Sequence, residues 1–171
     1  MYTEQFEVDY FENLAKSLAD LNHTPSKPHF FLNLETGTGF EELKIALGGK
    51  VFTPCLVLDE SEIDSDGSNG QKNTITGGFV ILEKFTPKDM KEMRQARIKT
   101  KQIARKAINK MKRDANIQFG EESALLASNA IQIGSIKQYP SPIILNHLIG
   151  WCVEFTWIIP DDITYGKDDF Y

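Results

Sequence analysis

Cysteine and histidine are scarce in this chain, with two of the former and three of the latter among 171 residues. That scarcity removes whole classes of chemistry. Two thiols cannot build the disulfide framework of a small secreted domain. Cys55 and Cys152 each lie inside an apolar, strand-like run, where a small buried thiol is the expected state. They could be neighbours in a sheet, but a disulfide is not expected in a reducing compartment. His23, His29 and His147 share no ligand spacing with one another or with the thiols, so no metal site is expected. Also missing is any run of about 18 apolar residues, the length a membrane-spanning helix needs. Met1-Tyr2-Thr3-Glu4-Gln5 has neither the basic start nor the apolar middle of a secretory signal. A cytoplasmic protein without a membrane partner is expected. Gly37-x-Gly39 lacks the third glycine and the lysine of a phosphate-binding loop, and no serine or cysteine has a plausible base to activate it. The expectation is a chain without catalytic residues or cofactors, not an enzyme.

What is present is an ordinary globular composition, 41% apolar and 25% charged, at a length that suits one domain over residues 1–171. The net charge of −5 conceals a partition. From Lys88 to Arg113 there are eleven lysines and arginines and two acids, Asp89 and Glu92, a local charge of +9 that leaves −14 on the remainder. Such asymmetry speaks about partners more than the total does.

From Thr3 to Leu21 the spacing of Phe6, Tyr10, Phe11, Leu14, Leu18 and Leu21 predicts an amphipathic helix, stopped by Thr24-Pro25-Ser26-Lys27-Pro28. Strands are predicted over His29–Leu34, Thr53–Leu58, Thr74–Phe85, Ala130–Ile136 and Ile149–Ile159, with a short helix over Phe40–Leu47. Gly77-Gly78 suggests a bulge or a close backbone approach. Residues 59–72 are acidic and rich in Ser, Gly and Asn, which predicts a long mobile hairpin loop. Thr86-Pro87-Lys88-Asp89 reads as a helix start with Thr86 as cap and Pro87 in the first turn. The helix from 87 to 115 gathers Met90, Met93, Ala96, Ile103, Ala104, Ala107, Ile108 and Met111 on one arc, with Arg97 and Ile98 as exceptions. The segment 160–171 is acidic and closes in aromatics.

Helix, strand, short helix, two strands, long helix and two strands imply an α+β fold: one antiparallel or mixed sheet of about five strands, with the two main helices packed on one face. Glu62-Ile63-Asp64-Ser65-Asp66-Gly67 resembles the start of a calcium loop, yet its twelfth position is Asn73 and its flanks read as strands. The basic helix can track phosphates, although the acidic remainder repels nucleic acid. Trp151, Val153, Phe155, Trp157 and Ile159 alternate as a strand with a buried face.

Pro54-Cys55-Leu56-Val57-Leu58-Asp59, Phe79-Val80-Ile81-Leu82, the long charged helix, and Gly150-Trp151-x-Val153-x-Phe155-x-Trp157 followed by Pro160-Asp161-Asp162 together resemble proteins of Bacteroidetes prophages and related elements. In size and element order the chain is also similar to phage tail terminator or tail completion proteins, which form rings at the end of a tail tube. That resemblance is one of pattern over most of the chain and transfers no individual contact residue. It implies a non-catalytic, oligomeric role among tail components, in the host cytoplasm or the virion. The charge layout suggests a homo-oligomer in which Arg94, Lys101, Arg105 and Lys112 meet an acidic surface, with Asp161, Asp162, Tyr165 and Phe170 as expected counterparts. A nucleic-acid-binding module using the helix 87–115 is the alternative.

Overall fold

The computed structural model describes residues 4–33, 52–65, 72–116, 126 and 131–160. Helix α1 (Glu4–Ser17) turns Tyr10, Phe11, Leu14 and Ala15 inward, together with Glu7. It ends four residues before its predicted stop. Ser17 Oγ donates to the Leu14 carbonyl, and Asn22, at φ 49°, takes the left-handed conformation that asparagine tolerates. Leu18 and Leu21 stay buried in the turns that follow. Apolar spacing reported their burial correctly but could not separate a helix from the turn succeeding it.

Six strands make one mixed sheet: β1 (Phe30–Asn33), β2 (Cys55–Asp59), β3 (Glu62–Ser65), β4 (Lys72–Lys84), β5 (Gln132–Pro140) and β6 (Leu148–Pro160). The order is β1-β2-β4-β6-β5, with β3 pairing β4 on the side where β2 does. β1 and β2 run parallel, and every other pair is antiparallel. Helix α2 (Met90–Asn116) packs on β4, β5 and β6, and α1 on β1 and β2. Both helices therefore cover one face, where they meet Leu56, Leu58, Phe79, Ile81, Val153, Phe155 and Trp157. Trp157 is fully buried there, stacked on Phe11 with 5.8 Å between ring centroids and edge-on to Tyr10. Burying one such side chain contributes about 1.5–3 kcal/mol, so the alternating strand 151–159 is core, as its pattern implies. On the opposite face, Cys55, Val57, Val80 and Leu82 are covered by Ile144 and Leu148, where the chain turns between β5 and β6.

Several expectations change. The segment 59–72 contains a strand, β3, whose Glu62, Ile63 and Asp64 pair with Thr76, Ile75 and Thr74. The extended backbone rules out a calcium-loop conformation at 62–65, and Asp66 and Gly67 lie outside the described residues. No bulge occurs at Gly77-Gly78, since β4 pairs β6 without a break. Gly77 instead makes room for a ring: a Cβ there would sit 2.7 Å from Phe155 Cζ. The bulge lies in β5, between Ile133 and Ile136, where the Ser135 N–H donates to Thr156 Oγ1 at 2.6 Å. Cys55 and Cys152 stand opposite Leu82 and Val80, on the two strands flanking β4. Two strand spacings and a two-residue offset place them about 12 Å apart, beyond disulfide reach. Burial pushes their thiols up to about 12 and about 11 respectively. The predicted helix 40–47 lies outside the described residues.

The start of α2 also differs. Thr86 does not cap it; the Asp89 N–H donates to the Thr86 carbonyl, closing a β-turn with Pro87 and Lys88 inside. Asp89 is the cap, its Oδ1 accepting from the N–H groups of Lys91 and Glu92, each at 3.0 Å. Glu92 Oε2 reaches back to the Thr86 N–H. Met90, expected on the buried arc, is 68% exposed because it overhangs the first turn.

Candidate interaction site

Most cations of helix α2 fall into two sets, with exposed Lys91 and Arg113 between them. Successive residues advance 100° around a helix, so Arg94, Lys101, Arg105 and Lys112 fall within about 40° of one another and span about 27 Å along the axis. Arg94, Arg105 and Lys112 are exposed, and among the described residues none has an ion-pair or hydrogen-bond partner. Lys101 lies against the sheet side of this stripe, its Nζ 4.6 Å from the centre of the Trp151 ring, which attracts it through the ring's quadrupole. Ile98, 50% exposed, sits beside this arc, about 20° from Arg105. The second set, on the flank, is neutralised inside the molecule. Lys99 pairs with Glu83 at 2.5 Å, Lys106 with Asp20 at 2.6 Å and Lys110 with Asp114 at 3.0 Å. Arg97 Nη2 donates to the Ser141 carbonyl at 3.2 Å.

Asp114 anchors this flank. Its buried carboxylate accepts from Tyr10 Oη at 2.9 Å and from Lys110 through both oxygens. Burial, then the Asp114 charge, hold the Tyr10 phenol far above its ordinary range. The sequence did not disclose Glu83 or Asp20 as partners, because each comes from an element distant in the chain, whereas Lys110 and Asp114 stand at i,i+4 on the same helix.

The sheet face opposite α1 and α2 carries acids. Asp59, Glu62, Asp64 and Glu154 are exposed there. Asn33 Nδ2 donates to Asp59 Oδ1 at 2.9 Å. Desolvation nevertheless raises the Asp59 carboxyl, with the Asn33 hydrogen bond opposing it. Tyr139 Oη donates to Glu154 Oε1 at 2.7 Å, a bond that pushes the phenol up to about 12. Alternation along 152–158 was the available sequence signal for Glu154, whereas Glu62 and Asp64 lie in a stretch of loop-like composition. The expected tail contacts Asp161, Asp162, Tyr165 and Phe170 lie outside the described residues.

A cavity of about 90 Å³ opens beside Glu4, Glu7, Val8, Leu32, Leu58, Asp59, Glu60 and Ser61, and Ser61 Oγ donates to Glu7 Oε2 at 2.6 Å. It is far smaller than the roughly 300–1,000 Å³ of small-molecule sites. Among the described residues no group of three His, Cys, Asp or Glu side chains is arranged to hold a metal. Among the same residues no helix is long and apolar enough to cross a membrane. No protein-family model matches the chain, and no curated protein matches it. The fold defines an α+β class, with two helices on a six-stranded mixed sheet among the described residues.

Proposed function

We propose that this chain is a non-catalytic assembly protein whose α2 stripe docks onto an acidic surface of another copy, building a head-to-tail homo-oligomer. One observation carries the reading: α2 pairs the lysines of one flank within its own subunit, while Arg94, Arg105 and Lys112, like Lys91 and Arg113 beside them, have no ion-pair partner among the described residues. Desolvating an exposed cation is compensated when an opposite charge meets it, and head-to-tail contacts close into rings when the rotation permits. The pattern-level similarity to tail terminator and completion proteins supports a ring in a phage tail or related contractile machine. Light scattering across a salt series tests it. Oligomers at low salt that dissociate as salt rises are expected; a monomer at high micromolar concentration and low salt overturns the reading.

The second reading, nucleic-acid binding, uses the same residues. Arg94 and Arg105 carry the planar guanidinium groups that suit phosphate oxygens. A gel shift at physiological salt separates the two, because retained binding with a steep salt slope favours nucleic acid.

A further inference from the structure

We infer that the surface receiving the α2 stripe is the exposed half of the sheet face opposite α1 and α2 on a second copy, an assignment that rests on the head-to-tail reading above. The stripe cannot satisfy itself, because α2 packs on one side of the sheet while Asp59, Glu62, Asp64 and Glu154 project from the other. Contact between the two must join different molecules. Since the two patches are unlike, the contact is heterologous and repeats from copy to copy.

The shape of the open half fits a helix. Strand β4 turns Thr74, Thr76 and Gly78 toward this side, a file of small side chains in the middle of the sheet. The backbone at Gly78 is closely approached: a Cβ there would sit 3.3 Å from the Val153 carbonyl oxygen and 3.5 Å from Asp59 Oδ2. Glu62 and Asp64 stand beside Thr76 and Thr74 on one flank, while Glu154 stands beside Gly78 on the other. This makes a shallow trough with acidic walls, about 20 Å long from Lys72 to Gly78 at strand rise. Arg94 to Arg105 covers about 16 Å at helical rise, so this part of the stripe fits within it and Lys112 reaches past its end. Ile98 supplies an exposed apolar side chain at the edge of the stripe, and Ile158, opposite Thr74, supplies a half-buried one on the trough's β6 side.

Two boundaries restrict docking to this half. The other half of the face is already occupied by Ile144 and Leu148 over Val80 and Leu82. The bases here are marginal: Lys72 lies at one end of the trough, and Lys137 stands opposite Glu154 toward the edge strand. The β2–β3 flank, Asp59, Glu62 and Asp64, carries acids alone.

Reciprocal charge reversal tests the assignment by light scattering at low salt. A stripe variant carries Arg94→Glu, Arg105→Glu and Lys112→Glu; a face variant carries Glu62→Lys, Asp64→Lys and Glu154→Lys. Each alone sets like charges against each other and is expected to dissociate at least tenfold more readily than the unaltered protein. Mixed in equal amounts they are expected to reassemble as alternating hetero-oligomers, because every contact again joins opposite charges. Reassembly also shows that both variants are folded. Should either fail to fold by circular dichroism, its neutral counterpart (Glu62→Gln with Asp64→Asn and Glu154→Gln, or glutamine at the three stripe positions) is expected to weaken assembly, and unchanged assembly overturns the proposal. A face variant that assembles like the unaltered protein while the stripe variant does not overturns this assignment and leaves the head-to-tail reading standing. An unaltered protein that is monomeric at low salt overturns both.

Discussion

Tyr10 and Asp114 are 104 residues apart in sequence and meet at 2.9 Å in the core between α1 and α2. Removing the phenol oxygen leaves a buried carboxyl group one donor short, with Lys110 its remaining partner. Tyr10→Phe is therefore expected to lower unfolding free energy by about 1–3 kcal/mol, measured by urea denaturation at neutral pH. A second residue sets a pH dependence. His23 is buried, and its Nδ1 accepts from the His29 N–H at 3.0 Å while Nε2 faces Glu12 at 3.6 Å. Desolvation lowers its pKa below 6.5; the Glu12 charge opposes this, and those of Lys16 and His29 add to it. Below that value the unfolded chain takes up a proton that the folded one refuses. Stability is thus lost as pH falls from 6.5 toward the folded value and levels off beneath it, with a slope of at most about 1.4 kcal/mol per pH unit. His23→Asn keeps an acceptor without the titration, so the difference between the two denaturation profiles should carry this slope. Neither contact could be read from spacing. Tyr10 was legible as a core residue, but the partner of its hydroxyl depends on how two distant helices cross.

At the scale of the element, the start of α2 shows why a correct motif led to a wrong boundary. Proline at the first helical position and proline inside a β-turn require the same φ near −65°, so Thr86-Pro87 fitted both. The distinguishing feature is Lys88, at φ 71°, a turn position that glycine occupies at less cost. Lys88→Gly is expected to raise stability by up to about 1 kcal/mol, and Asp89→Ala to lower it by about 0.5–2 kcal/mol through loss of the cap. Thermal unfolding of the two variants should move the midpoint in opposite directions; a matching shift would mean that the helix starts elsewhere. The strands were legible wherever burial imposed alternation, as in 151–159. β3 was hidden, since Glu62-Ile63-Asp64-Ser65 has a loop-like composition and is extended because β4 runs far enough to pair with it. The parallel pairing of β1 with β2 was equally beyond a local pattern.

Across the whole molecule the sheet separates two kinds of surface, a cationic helix above and acidic strands below. The first was legible because its charges follow one another along the chain; the second is assembled by register from β2, β3 and β6 and has no linear signature. If the two meet between copies, the kinetics have a defined form. Long-range attraction raises the rate of encounter, and salt shortens its reach from about 30 Å at 0.01 M to about 3 Å at 1 M. Short-range packing governs the rate of escape. The association rate constant is therefore expected to fall about tenfold or more between low and high salt, with a much smaller change in dissociation. Ile98→Ser should behave in the opposite sense, speeding dissociation and leaving association nearly unchanged, because it removes apolar contact without altering charge. Stopped-flow mixing of fluorescently labelled subunits measures both constants. An association rate indifferent to salt would mean that the charges of α2 do not guide the encounter.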